Sequence, residues 1–139
     1  MKACTFFGHR DCPDWVRGAL KDAVEGLLSE DHDMIFYVGN QGRFDAMARS
    51  VLRETGARYA VVLAYMPEKA DADCSDTMLP EGIENVPRRF AISWRNRWML
   101  EHSDFVISYT THSWGGAAQF AELARKMGRT EIKLAVSSL

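Results

Sequence analysis

The segment RNRWMLEHSDFVISYTTHSWGGAAQFAE, Arg95 through Glu122, carries the densest set of groups able to do chemistry in this chain. It reads as helix, strand and loop, followed by a turn at Gly115 and Gly116 that opens another helix. A glycine pair in that place lets backbone N–H groups approach an anion, and the helix N-terminus favours negative charge there. Thr110, His112, Ser113 and Trp114 lead into the turn. Hydroxyls and an imidazole at a helix N-terminus are natural phosphate partners, while Ser113 also suits plain N-capping. Glu122 falls one to two turns into the closing helix. Facing a cleft it would be a general base or a ribose anchor; on the outer face it would be neither.

Two more glycine turns follow apolar runs. After Phe6 and Phe7 come Gly8, His9 and Arg10, a turn whose N–H groups and guanidinium suit a phosphate or a ribose. After Tyr37 and Val38 come Gly39, Asn40, Gln41 and Gly42. The spacing is not that of a dinucleotide fingerprint, yet the glycines allow close approach and the two amides can present donors and acceptors to a sugar or base. Asp45, one turn further, either accepts from a ribose hydroxyl or offsets the helix dipole. Arg88, Arg89, Arg95 and Arg97 crowd into one short stretch and suit a bidentate grip on phosphate. Phe90, Ile92, Trp94 and Trp98 interleave with them, which points to core or a dimer surface before an aromatic platform for a base.

The elements that must position these groups alternate. Strands are expected over residues 2–7, 34–38, 59–64, 105–109 and 131–135. Helices are expected from Pro13 through Leu28, over 42–55 with Gly56 as its stop, over 88–102, and over 115–127 with Gly128 as its stop. Val16, Leu20, Ala23, Val24, Leu27 and Leu28 recur at helical spacing in the first helix. Pro13 suits its first turn, with Asp11 or Cys12 as cap. The strand MIFYV is apolar on both faces, as in a parallel strand covered from both sides. The expected fold is therefore α/β: a Rossmann-like three-layer sandwich with a mainly parallel five-stranded sheet and helices on both faces. Ligands in such sheets bind at the carboxyl ends of the strands, at the topological switch point. All three glycine turns fall at that end. So does the proline-broken stretch 65–87, long enough to suggest a lid or binding loop.

Composition bounds the rest. A chain of 139 residues, 47% hydrophobic and 26% charged, fits one ordinary domain over 1–139. The formal net charge of −2 and the lack of a basic tail argue against a nucleic-acid partner. No apolar run approaches the about 20 residues needed to span a bilayer, and MKACTFFGHR turns polar too soon for a signal peptide. Cys4, Cys12 and Cys74 match no zinc spacing, so no metal and no cofactor is expected. They read as structural thiols of a reduced, cytoplasmic protein. A reactive pair of Cys12 with His9 is the weaker alternative, since no third group orients it.

Taken together, GHR after the first strand, FYVGNQGRFD after the second, LPEGIENVPRRFAISWRNRWMLEHSD and THSWGGA resemble the YpsA-like branch of the SLOG superfamily along nearly the whole chain. That superfamily includes the Lonely Guy phosphoribohydrolases and the Rossmann domain of DNA-processing protein A (Smf). The resemblance implies a Rossmann-like sheet, a nucleotide or nucleotide-derived ligand at the glycine turns, and homodimers. In the Lonely Guy pattern, R-K-x-x-M-x-x-x-x-D precedes a strand and P-G-G-x-G-T-x-x-E follows it. Arg95, Met99 and Asp104 keep the first spacing, while Gly115, Gly116 and Glu122 keep part of the second. By resemblance, Arg95 and Glu122 correspond to the catalytic pair. Trp114 in place of Pro, Ala118 of Gly and Gln119 of Thr reshape the phosphate loop.

Three functions follow, in order. The first is binding or sensing of a nucleotide-derived ligand (a nucleotide, or an NAD-derived or ADP-ribose-like compound) at Gly8, Arg10, Gly39, Gln41, Gly115 and Gly116. The second is an N-glycosidase acting on a nucleoside 5′-monophosphate through Arg95 and Glu122. A nucleic-acid-associated role comes last.

Overall fold

The structure, a computed structural model, describes residues 2–66 and 76–134. Six strands form one sheet: β1 (Ala3–Gly8), β2 (Ile35–Val38), β3 (Arg58–Val62), β4 (Thr77–Met78), β5 (Phe105–Tyr109) and β6 (Thr130–Lys133). Their order is β4-β3-β2-β1-β5-β6, and every neighbouring pair is parallel. The chain winds outward from β1 to β4, then crosses back to lay β5 on the other side of β1. The switch point is thus between β1 and β5. The α/β fold is as expected, with one strand added. β4 lies in the stretch read as loop because two residues carry no periodicity. Residues 67–75 of that stretch, the proposed lid, lie outside the described residues, as do Cys74 and Ala135.

Four helices, α1 (Val16–Glu30), α2 (Gly42–Thr55), α3 (Arg88–Glu101) and α4 (Gly116–Lys126), cover the sheet. α1 packs on α2 and α3 on α4. Strand alternation sorts the side chains between the two layers. Phe6, Phe36, Val38 and Ile107 join Val16, Leu20, Val24, Phe44 and Val51 on one face. Phe7, Val62 and Val106 join Met99, Leu100, Phe120 and Ala124 on the other. Tyr37 and Trp98 meet edge to face at 5.2 Å, so Trp98 belongs to this second layer. The first helix starts later than Pro13 suggests. Trp15 is its cap, no side chain caps it, and Pro13 instead accepts the Val16 N–H at 3.1 Å in a preceding turn. No helix of the described residues is long and apolar enough to cross a membrane.

Gly8 ends β1 directly under α2. A Cβ at that position would overlap the ring of Phe44, which is fully buried. Neither the ring nor the strand can move without disturbing the first core layer. Gly8→Ala should therefore lower stability by about 1–3 kcal/mol, the usual cost of overpacking. A thermal melt checks this, and an unchanged midpoint would refute it.

Candidate functional site

The site begins with the pairing of β1 and β5. Their register sets Gly8 against Tyr109, and the His9 N–H donates to the Tyr109 carbonyl at 3.2 Å. Residues leaving the two strands therefore start out side by side. His9 and His112 stack with centroids 3.8 Å apart and planes 19° apart. His112 and Trp114 repeat the arrangement at 3.8 Å and 17°. The result is a ladder of three rings ending on an indole that is 70% exposed. The Thr111 N–H donates to His9 Nε2 at 2.8 Å, which ties the 110–114 loop to the β1 turn. Nδ1 of His112 is buried and has no partner among the described residues.

An accepting Nε2 requires the neutral imidazole. Burial, with the neighbouring His112 adding to it, holds His9 below its ordinary value of about 6.5. The folded state then binds fewer protons than the unfolded chain just below pH 6.5. Stability from His9 is complete above that pH and drains away as the pH falls, until the folded imidazole itself takes a proton. Melting midpoints between pH 7.5 and 5 should decline less steeply in His9→Gln than in the parent. Parallel profiles would contradict this.

The ladder borders a cleft of about 650 Å³ lined by Gly8, His9, Arg10, Gln41, Asp45, Arg95, Asn96, His112, Trp114, Gly115 and Gly116 among others. Members of all three glycine turns thus line one cleft. They differ in what they offer. At α2, Asp45 Oδ2 accepts the Gln41 N–H at 2.9 Å, so a carboxylate already occupies that helix N-terminus. Burial pushes the Asp45 carboxyl up, against the Gln41 hydrogen bond and the Arg95 charge, which pull it down. At α4 no side chain caps the helix. Its cap residue is Gly115 at φ 91° and ψ 170°, a region open in practice to glycine alone. The N–H groups of the first turn have no intrahelical acceptor, and Gly116 and Ala117 line the cleft. Arg10 lines it too, exposed, and without an ion pair among the described residues. An anion would meet the least competition at this third turn.

Arg95 forms the floor. It is 2% exposed. Its Nη1 donates to the Val62 carbonyl at 2.8 Å and to Asn40 Oδ1 at 3.3 Å, and its Nε to Asn96 Oδ1 at 2.9 Å. All three acceptors are neutral, and Nη2 has no partner among the described residues. Burial lowers the guanidinium from its ordinary range, and Asp45 opposes that shift. The side chain ties α3 to the carboxyl ends of β2 and β3.

Other expected site residues fall elsewhere. Gly39, Asn40 and Gly42 support the cleft without lining it; Arg49 Nη1 donates to the Gly39 carbonyl at 3.1 Å. Arg88 lies over the Tyr65 ring at 4.2 Å beside a separate apolar groove. Thr110 and Ser113 line a smaller groove on the far side of the 110–114 loop. Ser113 does not cap α4. Glu122 lines that smaller groove as well, 62% exposed and paired with Lys126 at 3.5 Å. Arg95 and Glu122 are not brought into one cavity, so the glycosidase pairing gains no support from this geometry. Cys12 is buried with its Sγ 4.0 Å from Met47 Sδ, and burial raises its thiol. This is a core thiol, with no activating contact to His9. Asn96 and Thr111 line the cleft unforeseen. Among the described residues no three His, Cys, Asp or Glu side chains gather where they could hold a metal.

No family model matches the chain, and no curated protein matches it. Solved structures do. DNA processing protein A (DprA) from Streptococcus pneumoniae matches with a TM-score of 0.77 and 18% identity, covering 100% of this chain and 52% of that one. DNA processing protein A from Helicobacter pylori, described for its single-stranded DNA binding mode, matches with a TM-score of 0.68 and 14% identity, covering 98% and 66%. At these identities the likeness establishes the Rossmann-like fold shared with DprA proteins, and the chain spans roughly half to two thirds of their length. It also corrects one expectation. A net charge of −2 and the absence of a basic tail do not exclude nucleic acid, because a protein of the same fold is described as binding single-stranded DNA. Formal charge is a sum over the whole chain, whereas a strand meets local groups.

Proposed function

We propose that this chain binds single-stranded nucleic acid at the cleft between β1 and β5. One unpaired base stacks on Trp114, and its phosphate is held by Arg10 and the first turn of α4. The observation that carries this reading is the His9–His112–Trp114 ladder, ending on an exposed indole beside an uncapped helix N-terminus. Every base has a π-face, so such a platform accepts strands with little regard to sequence. Duplex DNA offers no free face. The fold shared with DprA proteins supports the reading; that the chain belongs to the YpsA-like branch is a further part of the proposal, supported by the motifs that resemble it.

Fluorescence anisotropy with a labelled dT12 oligonucleotide tests it. Binding should weaken with salt at a slope of about −0.7 per phosphate contacted, and unlabelled duplex should compete poorly. Equal affinity for duplex and single strand would sink the reading.

A second reading is favoured by a different observation. A cleft of about 650 Å³ with a guanidinium as its floor is the size of a small-ligand site. A free nucleotide, NAD-derived or ADP-ribose-like ligand would use the same base platform and phosphate turn. Competition by ADP-ribose stronger than by dT12 would transfer the conclusion to it. The homodimer is a separate proposal, supported by Phe90 on α3 at 52% exposure. Sedimentation as a 15.7 kDa monomer at micromolar concentration would refute it.

A further inference from the structure

The groove behind the 110–114 loop shares Thr111 and His112 with the main cleft. Those two residues are a common wall. The two spaces therefore lie on either side of these two residues. The second groove is about 290 Å³ and is lined by Thr110, Thr111, Ser113, Arg125, Glu122 and Lys133. Its chemistry is legible from which charges are already used. Arg125 is spent on Glu131, with contacts of 2.8 and 3.1 Å. Glu122 is engaged by Lys126 at 3.5 Å. Glu131 also accepts from the buried Ser108 hydroxyl at 2.8 Å, and, against its burial, Arg125, ahead of the more distant Lys133 charge, helps hold its carboxyl low. Lys133, exposed at the end of β6, has no ion pair among the described residues. Among the described residues, one ammonium and the hydroxyls of Thr110, Thr111 and Ser113 make no direct hydrogen bond or ion pair, a donor-rich surface next to a base platform.

We infer that this groove is the next phosphate position of the same strand. A strand whose base rests on Trp114 and whose phosphate meets α4 would pass over the 110–114 loop and lay its neighbouring phosphate against Lys133 and the loop hydroxyls. The inference rests on the proposed strand binding at the main cleft and gives it a footprint of at least two nucleotides. It also separates a strand from a free mononucleotide, which needs only the first position.

The test is a length series of 5′-phosphorylated thymidine ligands, from the mononucleotide to dT2, dT3 and dT6, against the parent, Lys133→Glu, Lys133→Gln and Trp114→Ala. In the parent, dT2 should bind about tenfold tighter than the mononucleotide, the gain expected of one added charge-assisted contact. Lys133→Glu should abolish that gain and leave mononucleotide affinity unchanged, with Lys133→Gln intermediate. Trp114→Ala should weaken every ligand. Thermal melts establish that the variants are folded, as expected for an exposed residue at a strand end. A dT2 ligand no tighter than the mononucleotide, or a gain that survives Lys133→Glu, overturns the second position and leaves the first standing. Failure of every ligand to bind the parent overturns both.

Discussion

Trp114→Ala should lower affinity for single-stranded DNA by about tenfold to a hundredfold, the loss expected when one base–aromatic stack worth roughly 1–3 kcal/mol is removed. Its melting temperature should not change, because the indole is 70% exposed and its ring contact among the described residues is with His112. The two readouts separate recognition from folding. Trp114→Tyr should keep most of the affinity, since a tyrosine ring can still lie on His112, whereas a long aliphatic side chain cannot replace the π-face. Equal affinity of Trp114→Ala and parent would remove the platform from the account, whatever happened at Arg10 or the α4 turn.

Arg95→Met should act in the opposite way, on stability first. The guanidinium is 2% exposed, and its loss strips partners from the Val62 carbonyl, Asn40 and Asn96 at once. It also removes the cation that offsets burial of Asp45. A cost of about 3 kcal/mol or more follows from truncating a fully buried side chain, leaving the buried Val62 carbonyl unpaired and leaving the Asp45 carboxylate without its counter-charge, a fall in melting temperature of roughly 10 °C for a chain of this size. Adding Asp45→Asn should recover part of that loss, because the carboxylate is then no longer buried without its counter-charge. Arg95→Lys should not rescue it, since one ammonium cannot serve acceptors reached by Nε and Nη1 in a planar fork. A melt of Arg95→Met within about 2 °C of the parent would show that Arg95 is not the strut its contacts imply.

Much of this site is legible in the residues, for identifiable reasons. Apolar runs broken by glycine turns and followed by helical periodicity force a parallel sheet, and a parallel sheet puts those turns at one edge. That is why Gly8, Gln41 and Gly115, far apart in the chain, line a single cleft. The ring ladder is not legible, because it depends on β1 lying beside β5. Strand order is set by the crossover and leaves no local trace in the residues near His9 or His112. Asp45 divided between ligand contact and dipole compensation; in the structure it accepts the Gln41 N–H at the helix terminus and also lines the cleft, so the two roles stand side by side. Glu122 turns outward because Phe120, Ala121 and Ala124 take the buried face of α4. That phase is present in the sequence, but the Lonely Guy spacing draws attention to the carboxylate and away from its neighbours. Net charge misled for a similar reason, since it averages over a surface on which one exposed indole, an exposed Arg10 with no ion pair among the described residues and one open helix terminus stand together.

Photocrosslinking is the most direct test of the central claim. An oligonucleotide carrying 5-iodouracil, irradiated with the parent chain at low salt and digested, should mark the segment containing His112 and Trp114. Excess unlabelled single strand should suppress the mark, and duplex should not. Crosslinks confined to other aromatic positions, such as Trp15 at the start of α1 or Phe90 on α3, would contradict the assignment of the base platform to this cleft.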